Sequence, residues 1–431
     1  MNKPNIVYLL LDDLGPYELS CLGHPTLETP NLDRLIQSGM RFENAYSGAP
    51  VCAPARSALM TGQHTGHTSV RGNLGGIPLL KEDFTAAQML KDAGYATGGF
   101  GKWGCGDAGT DGVPEKHGFD LFYGYYHQVH AHTYFTGYLW RNGERVDLEE
   151  GAYSQYLIQD EAKRFIRQNR DRPFFCYLPY TPPHGRFEIP DSDPGWAQYR
   201  DRPWEEGPRR RAAMISMVDR HAGEILDLLD ELNLTENTLL LFASDNGGGR
   251  EFNDFFKPNR EMKGAKGNLY EGGIRVPFAA RWPGRIEPNS VCAFPTYFPD
   301  FLPTAAEIAG APLPPNMDGV SIAPSFLGES ERQTERGFLY WEYRRVANWQ
   351  KQTYAERGLQ QAVRQGKWKI ARMSLDEPFE LYDLENDPNE TTDLAGEHPQ
   401  LAAEMARLAD ASHTPPPPQK EPEMPPGRRF R

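Results

Sequence analysis

Two continuous apolar runs that end in carboxylates restrict the fold of this sequence more than any other feature. Residues 5–11 (NIVYLLL) carry no charge and lead directly into Asp12 and Asp13. Residues 238–243 (TLLLFA) form a second run, which is soon followed by Asp245. Unbroken apolar strands are typical of a parallel sheet that helices cover on both faces. In such open α/β sheets, ligand sites lie at the carboxyl ends of the strands. The sequence therefore predicts an α/β fold with its site at that edge.

The polar groups at these two strand ends predict a metal site. Two adjacent carboxylates after a buried strand are costly unless a cation neutralises them. An N-cap role in a βα loop explains one aspartate more readily than two in a row. Together Asp12, Asp13, Asp245 and Asn246 offer only oxygen ligands, which favours a hard cation such as Ca²⁺ or Mg²⁺ over Zn²⁺.

Further helix and strand patterns alternate along the first three quarters of the chain. Amphipathic periodicity predicts helices at residues 31–38, 85–93, 153–170, 209–232 and 297–309. Short apolar runs predict strands at residues 95–100 and 173–178. A chain of 431 residues is long enough for more than one domain. We expect residues 1–332 to form a large domain with a mostly parallel central sheet flanked by helices.

The pattern changes near residue 338. Residues 338–342, 361–373 and 379–384 alternate as strands of a small antiparallel sheet do, and residues 401–412 predict a packing helix. These features define a C-terminal α+β subdomain at 333–414. A proline-rich, extended tail is predicted for 415–431.

Residues 47–62 are predicted to deliver Cys52 to the start of a helix. Pro54 suits a first helical turn, and Gly62 ends the segment. Unpaired backbone N–H groups at a helix start favour anions, and Arg56, one turn on, can reach the same place. The alternative is a buried free cysteine beside a turn.

The pattern Cys52-x-Pro54-x-Arg56 resembles the signature of the sulfatases, in which the cysteine is oxidised to formylglycine. The usual fourth residue is serine, and here it is Ala55. Other segments in the same order also resemble that family: Gly101-Lys102-Trp103, Pro183-His184, residues 262–277 with Lys266, and the closing segment 381–394. The likeness runs from residue 5 to about residue 408. On it, the chain is identified as a member of the type I formylglycine-dependent sulfatases, which are arylsulfatase-like and have the alkaline-phosphatase-like fold.

This resemblance implies a set of site residues. Position 52, converted to formylglycine by a maturation enzyme, would be the nucleophile and would join Asp12, Asp13, Asp245 and Asn246 around the metal. Its hydrate carries two hydroxyls: one attacks sulfur, and the second expels sulfate afterwards. The resemblance implies that positive side chains offset the sulfate charge and that a histidine assists the leaving alcohol: Arg56, Lys102, Lys266 and His184.

One residue departs from the family pattern. A histidine usually follows the tryptophan of the lysine motif, and this chain has Gly104 there. The nearby stretch 125–132 contains His130 and His132, which would share one side of an extended segment. Our hypothesis is that His132 or His130 substitutes for the missing histidine. They would otherwise bind substrate or cap a loop.

The substrate is predicted to be a sulfated small molecule or glycan, and a saccharide is favoured. Aromatic residues at 122–140, with Trp196 and Trp204, are suited to stacking on sugar faces, although the same residues also suit a core. Residues 190–208 fit a substrate-binding loop. The alternatives are a phosphonate or phosphate diester hydrolase and a catalytically impaired sulfoglycan-binding homologue. Asn246 favours the sulfatase, because those hydrolases often carry histidine there.

Charge and composition narrow the kinds of partner and the cellular compartments that fit this chain. A net charge of −13 without a long basic run before the tail argues against nucleic acid as a partner. Five widely spaced cysteines do not form a disulfide framework. No apolar run is long enough to cross a bilayer, and the first residues leave no room for a leader. As given, the sequence predicts a soluble, cytoplasmic protein, or a periplasmic or secreted one if a leader was removed. Its oligomeric state is left open.

Overall fold

The computed structural model describes residues 3–348 and 353–417, whose strands form a ten-stranded sheet, a four-stranded sheet and a small two-stranded sheet of Ala45–Tyr46 and Thr296–Tyr297. The strands are β1 Asn5–Leu11, β2 Met40–Phe42, β3 Ala45–Tyr46, β4 Ala96–Lys102, β5 Leu121–Tyr125, β6 Tyr138–Arg141, β7 Glu144–Asp147, β8 Phe174–Pro179, β9 Thr238–Ser244, β10 Phe278–Arg281, β11 Ser290–Cys292, β12 Thr296–Tyr297, β13 Leu339–Asn348, β14 Thr353–Gln365, β15 Trp368–Arg372 and β16 Glu380–Asp383. The α-helices are α1 Pro30–Gln37, α2 Cys52–Thr61, α3 Ala86–Asp92, α4 Ser154–Gln168, α5 Pro194–Tyr199, α6 Glu206–Glu231, α7 Asn253–Phe256, α8 Glu271–Ile274, α9 Phe301–Ala309, α10 Ala323–Phe326 and α11 Pro399–Ser412.

The large sheet has ten strands in the order β11-β2-β10-β9-β1-β8-β4-β5-β6-β7. Its centre is parallel: β1 pairs with β8 on one side and with β9 on the other, and β4 continues the parallel set. On the other side of β9, β10 runs antiparallel. The predicted fold class, a mostly parallel central sheet with helices, is confirmed.

Both faces of β1 are buried, which explains its unbroken apolar sequence. Ile6, Tyr8 and Leu10 belong to one hydrophobic core with residues of α2, α3 and α9. The alternate residues of β1 belong to a second core with residues of α1, α4 and α6. Each strand residue thus loses its contact with water, at a gain of about 25 cal/mol per Å² of apolar surface.

The second sheet joins β13 to β16 in antiparallel order, as predicted for the C-terminal segment. Met405 and Ala409 of α11 pack on one side of it. The opposite side faces the large domain, where the indole N–H of Trp341 donates to the Ser47 carbonyl oxygen over 2.8 Å. Residues 418–431 of the predicted tail lie outside the described residues, and the boundaries at 332 and 414 stay a prediction.

A buried ionic cluster joins the C-terminal sheet to the large domain. Lys369 Nζ lies 2.9 Å from Glu271 Oε1 and 2.8 Å from Glu390 Oε1, and none of the three side chains is more than 1% exposed. Glu271 belongs to the large domain, whereas Lys369 is on β15. The C-terminal sheet is therefore held against the large domain by charges removed from water as well as by apolar contacts.

Among residues 3–348 and 353–417, no helix combines the length and hydrophobicity that crossing a bilayer requires.

Candidate active site

Polar side chains gather where neighbouring parallel strands end at one edge of the large sheet. The strand ends of β9, β1, β8 and β4 supply, in that order, Asp245 and Asn246, Asp12 and Asp13, His184, and Lys102. All of them except His184, which is partly exposed, are buried. The juxtaposition follows from the parallel topology, because parallel strands place their carboxyl ends together.

Helix α2 brings Cys52 to this edge. Val51 is extended just before the helix, and Gly62 closes it with a left-handed φ of 69° that suits glycine. The Cys52 side chain is buried, and its Sγ lies 3.3 Å from Asp12 Oδ1. Burial, together with the negative charges of Asp12 and Asp245, raises the pKa of the Cys52 thiol. The unmodified side chain is therefore a neutral thiol, which is a poor nucleophile.

Arg56 lies one turn after Cys52 and binds carboxylates. Its Nη2 is 2.8 Å from Asp245 Oδ2 and 3.3 Å from Asp12 Oδ2. Its Nη1 donates to the Lys102 carbonyl oxygen over 2.6 Å. The guanidinium is wholly buried, so it fixes three strand ends and the start of α2 relative to each other.

Two lysines neutralise the paired aspartates. Lys102 Nζ forms an ion pair with Asp12, and Lys266 Nζ lies 2.7 Å from Asp13 Oδ1. Burial alone would lower the pKa of each lysine, but the adjacent carboxylates outweigh it and raise both. With Arg56, the cluster contains three cations against Asp12, Asp13 and Asp245, so its formal charges balance.

The donor set fits a hard divalent cation. The side-chain amide of Asn246 donates to Asp13 Oδ1 over 2.8 Å, yet among the described residues its buried Oδ1 has no hydrogen-bond partner. Ligand atoms of Asp12, Asp13, Cys52 and His184 also lie within 4.8 Å of one another. An unsatisfied amide oxygen beside two carboxylates is a suitable ligand for Ca²⁺ or Mg²⁺.

Two stacked histidines form one wall of the cluster. The rings of His132 and His184 are 3.9 Å apart and inclined by 12°. His184 Nε2 is 3.4 Å from Asp13 Oδ2, and His132 Nε2 is 3.5 Å from Lys102 Nζ. Burial and the Lys266 charge lower the pKa of His184 to about 4, and burial with the His184 charge lowers that of His132. Both imidazoles are neutral near pH 7.

The expected arrangement of His130 and His132 is wrong. Residues His130–His132 form a 3-10 turn, so alternate residues do not share a side as they would in a strand. His132 lies in the cluster, whereas His130 is buried with its Nε2 2.8 Å from Thr136 Oγ1. Gly104 has a φ of 83°, a left-handed conformation that a histidine rarely adopts.

The aromatic segment is mostly core rather than a sugar-binding surface. Phe122, Tyr125 and Tyr126 are each at most 1% exposed, and Trp140 stacks on Tyr126 with ring centroids 5.3 Å apart. These rings pack against the sheet because the strand β5 and its continuation pass beneath other elements. The prediction that they stack on sugars is wrong for these buried rings.

The expected substrate-binding loop at 190–208 is also more ordered than predicted. It contains α5, which packs on α6. Trp196 lies beneath Arg210, 4.5 Å from the guanidinium carbon, and Trp204 stacks on Tyr199. Both indoles are partly buried by these contacts.

The C-terminal hairpin adds residues that sequence analysis missed. Gln360 of β14 donates from Nε2 to the Gly267 carbonyl oxygen over 3.0 Å, directly after Lys266. Tyr343 of β13, its partner across the hairpin, lies close enough for the Lys266 charge to act on its hydroxyl. No local motif marks either residue, because strand periodicity does not show which other loop a strand will contact.

Comparison with known proteins gives matches over nearly the whole chain. A family model described as sulfatase matches residues 4–311, and one described as N-sulphoglucosamine sulphohydrolase, C-terminal, matches residues 265–411. An arylsulfatase from Hemicentrotus pulcherrimus is 33% identical over 79% of this chain, which spans 64% of that protein. An N-acetylgalactosamine-6-O-sulfatase from Bacteroides thetaiotaomicron is 28% identical over 96% of this chain and 93% of its own.

A solved structure shows the same fold. The crystal structure of Ps i-CgsB in complex with k-i-k-neocarrahexaose has a TM-score of 0.84 and 28% sequence identity, and the match covers 96% of this chain and 94% of that one.

Proposed function

This chain belongs to the sulfatase family, and we propose that it hydrolyses a sulfate ester of a saccharide with formylglycine at position 52 as the nucleophile. The observation that carries the proposal is the meeting of α2 with the strand ends, where Cys52 Sγ lies 3.3 Å from Asp12. A neutral, buried thiol has no evident use at the centre of six charged groups. Its oxidation to an aldehyde gives that position a chemical role. A formylglycine-generating maturation enzyme is the partner that this proposal requires.

The charged residues of the cluster would divide the work on sulfate. A Ca²⁺ or Mg²⁺ ion held by Asp12, Asp13, Asp245, Asn246 and position 52 would supply Lewis-acid stabilisation of negative charge. Hydrated formylglycine supplies the hydroxyl that attacks sulfur.

The chain's own side chains would hold the substrate and move the proton. Lys102, which is buried, and Lys266, which is partly exposed, hold the sulfate oxygens, at a place where fixed positive charges act strongly. Arg56 keeps Asp12 and Asp245 in position. His184, which is neutral near pH 7, donates a ring N–H hydrogen bond to the leaving oxygen and so stabilises the negative charge that develops there as the S–O bond breaks, and the leaving oxygen takes its proton from water.

A saccharide is favoured as the alcohol part of the ester. The Bacteroides thetaiotaomicron relative is named for a sulfated amino sugar, and the similar crystal structure contains a neocarrahexaose. Both matches extend over the C-terminal hairpin that lies beside Lys266. The aromatic residues, being largely core, add nothing to this argument.

His132 is our candidate for the histidine that Gly104 lacks. It stacks on His184 and lies beside Lys102, so it would hydrogen-bond the formylglycine hydroxyl, which is the role that the family resemblance implies for the missing histidine. We expect His132→Gln to lower kcat by about 100-fold, the lower end of the effect of losing one acid or base group. Steady-state kinetics on an aryl sulfate would measure it.

His130→Gln is the matched control, because His130 binds Thr136 outside the cluster. It should change kcat less than about threefold at an unchanged substrate affinity, and thermal melting would show whether either variant is misfolded. Equal losses of kcat in two folded variants would contradict the assignment to His132.

The choice of ester is tested with matched aryl substrates. Purified protein whose Cys52 peptide has the mass of formylglycine should hydrolyse 4-nitrophenyl sulfate at least about 100-fold faster, in kcat/KM, than an aryl phosphonate monoester. The reverse order would make the chain a phosphonate hydrolase. Formylglycine without turnover of any sulfate ester would favour the sulfoglycan-binding alternative.

A further inference from the structure

Two arginines outside the catalytic cluster lie on loops at its edge. Arg186 follows His184 by two residues, and Arg250 lies in the loop after Asn246. Both are exposed. Within residues 3–348 and 353–417, no carboxylate lies within ion-pair distance of either guanidinium, although Glu251 is next to Arg250 in sequence.

Arg250 is anchored to a residue of the site, and Arg186 is anchored to the neighbour of one. Arg186 Nη1 donates to Thr133 Oγ1 over 3.3 Å, and Thr133 is adjacent to His132. Arg250 Nε donates to the carbonyl oxygen of Lys266 over 3.0 Å. Each guanidinium therefore uses one N–H within the protein and retains others for a ligand, since an arginine has five.

The two loops also touch each other. The rings of Phe187 and Phe252, which come one and two residues after these arginines, have centroids 5.0 Å apart. Arg186 and Phe252 both have left-handed backbone, with φ of 55° and 59°. This contact places both arginines on one part of the rim beside His184 and Lys266.

Because the charges of the cluster are balanced, these arginines are a separate source of positive charge for a second anionic group. The three cations of the cluster are already matched by three carboxylates, and the chain as a whole carries a net charge of −13. A substrate with more than one anionic group would be repelled unless the rim offered separate positive charge.

We propose that Arg186 and Arg250 form a second anion-binding subsite, which selects saccharides with another anionic group beside the sulfate that is removed. This inference rests on the proposed function and names its substrate class. The neighbouring group is a sulfate or a carboxylate, both of which an arginine binds through two parallel N–H groups. The subsite contributes to affinity and not to the chemical step.

Competition against 4-nitrophenyl sulfate hydrolysis tests the subsite. The inhibitors are galactose 6-sulfate, galactose 2,6-disulfate and a galactose 6-sulfate linked to glucuronate. The wild-type protein should bind at least one doubly anionic sugar about tenfold or more tightly than the monosulfate, which is the scale of a charge-assisted hydrogen bond. Preference for the disulfate would identify the second anionic group as a sulfate, and preference for the glucuronate compound would identify it as a carboxylate. The preference should shrink as salt is raised.

Arg186→Gln and Arg250→Gln should each remove most of this preference and leave kcat on 4-nitrophenyl sulfate within about twofold. Arg407→Gln is the matched control, because Arg407 is an exposed arginine on α11 and should change neither quantity. Equal affinities for all three sugars in the wild type, or a preference unchanged in both variants, would overturn the subsite.

Calorimetric binding of the same sugars to Cys52→Ala protein keeps this test independent of turnover. If the wild-type protein carries formylglycine and hydrolyses no aryl sulfate, while Cys52→Ala protein still prefers a doubly anionic sugar, the proposed function is rejected and the subsite is kept. Binding of none of the sugars, or of all equally, would reject the subsite whatever the hydrolysis result.

Discussion

Cys52→Ala protein is expected to show no multiple turnover of sulfate esters, a loss of at least about 1000-fold in kcat. Alanine has no group that can be converted to an aldehyde hydrate, so no hydroxyl is available at the place where Asp12, Lys102 and Arg56 converge. Cys52→Ser should be equally inactive unless the host oxidises serine. Release of inorganic sulfate from 4-nitrophenyl sulfate would measure both.

Cys21→Ala is the control for the loss of a thiol, because Cys21 lies in the turn Ser20–Leu22, outside the cluster. It should retain wild-type turnover. Both proteins should melt within a few degrees of the wild type, since the Cys52 change removes a single buried atom. Substantial multiple turnover by folded Cys52→Ala protein would defeat the proposed mechanism.

Lys369→Met is expected to destabilise the protein by about 3–5 kcal/mol at pH 8, the scale for removing one partner of a buried ion cluster. Lys369 separates Glu271 from Glu390, and the substitution leaves two buried carboxylates facing each other. Urea denaturation followed by circular dichroism would give the free energy of unfolding. Lys116→Met is the control: both side chains of its pair with Asp111 are more than half exposed, and the midpoint should hardly move.

The loss should be smaller at pH 5.5. Burial, with the charge of Glu271, raises the pKa of Glu390 to about 7 even though Lys369 opposes the shift. Without the lysine, this carboxyl holds its proton to still higher pH, so protonation relieves the repulsion as pH falls. A raised carboxyl pKa favours folding below that pKa and opposes it above. A destabilisation by Lys369→Met that grew toward acid pH would contradict this account. The account would also be contradicted if Lys369→Met/Glu390→Gln protein were destabilised at pH 8 as much as Lys369→Met protein.

Much of the candidate site was predictable because it depends on strand ends. An apolar run followed by Asp12 and Asp13 marks a buried strand and its carboxyl edge, and parallel pairing then brings Asp245 to the same place. Local sequence did not distinguish His130 from His132, because alternation assumed a strand where the chain forms a 3-10 turn. Local sequence also did not distinguish a tyrosine buried in the core from a tyrosine exposed for stacking on a sugar.

The role of the distant hairpin was not predictable in the same way. Gln360 bonds to Gly267, which is 93 residues earlier in the sequence, and no pattern in the sequence of β14 predicts that contact. Long-range packing of this kind depends on how two sheets dock, and the alternation of side chains along one strand does not predict it.

The bond from Gln360 to Gly267 has a consequence for how members of this family diverge. The C-terminal sheet supports the backbone that carries Lys266, the lysine we propose to bind sulfate, so substitutions in that sheet can change substrate affinity while every signature residue stays the same. Two paralogues with identical motifs can therefore prefer different sugars, and the cause will be found in the docking of their second sheet.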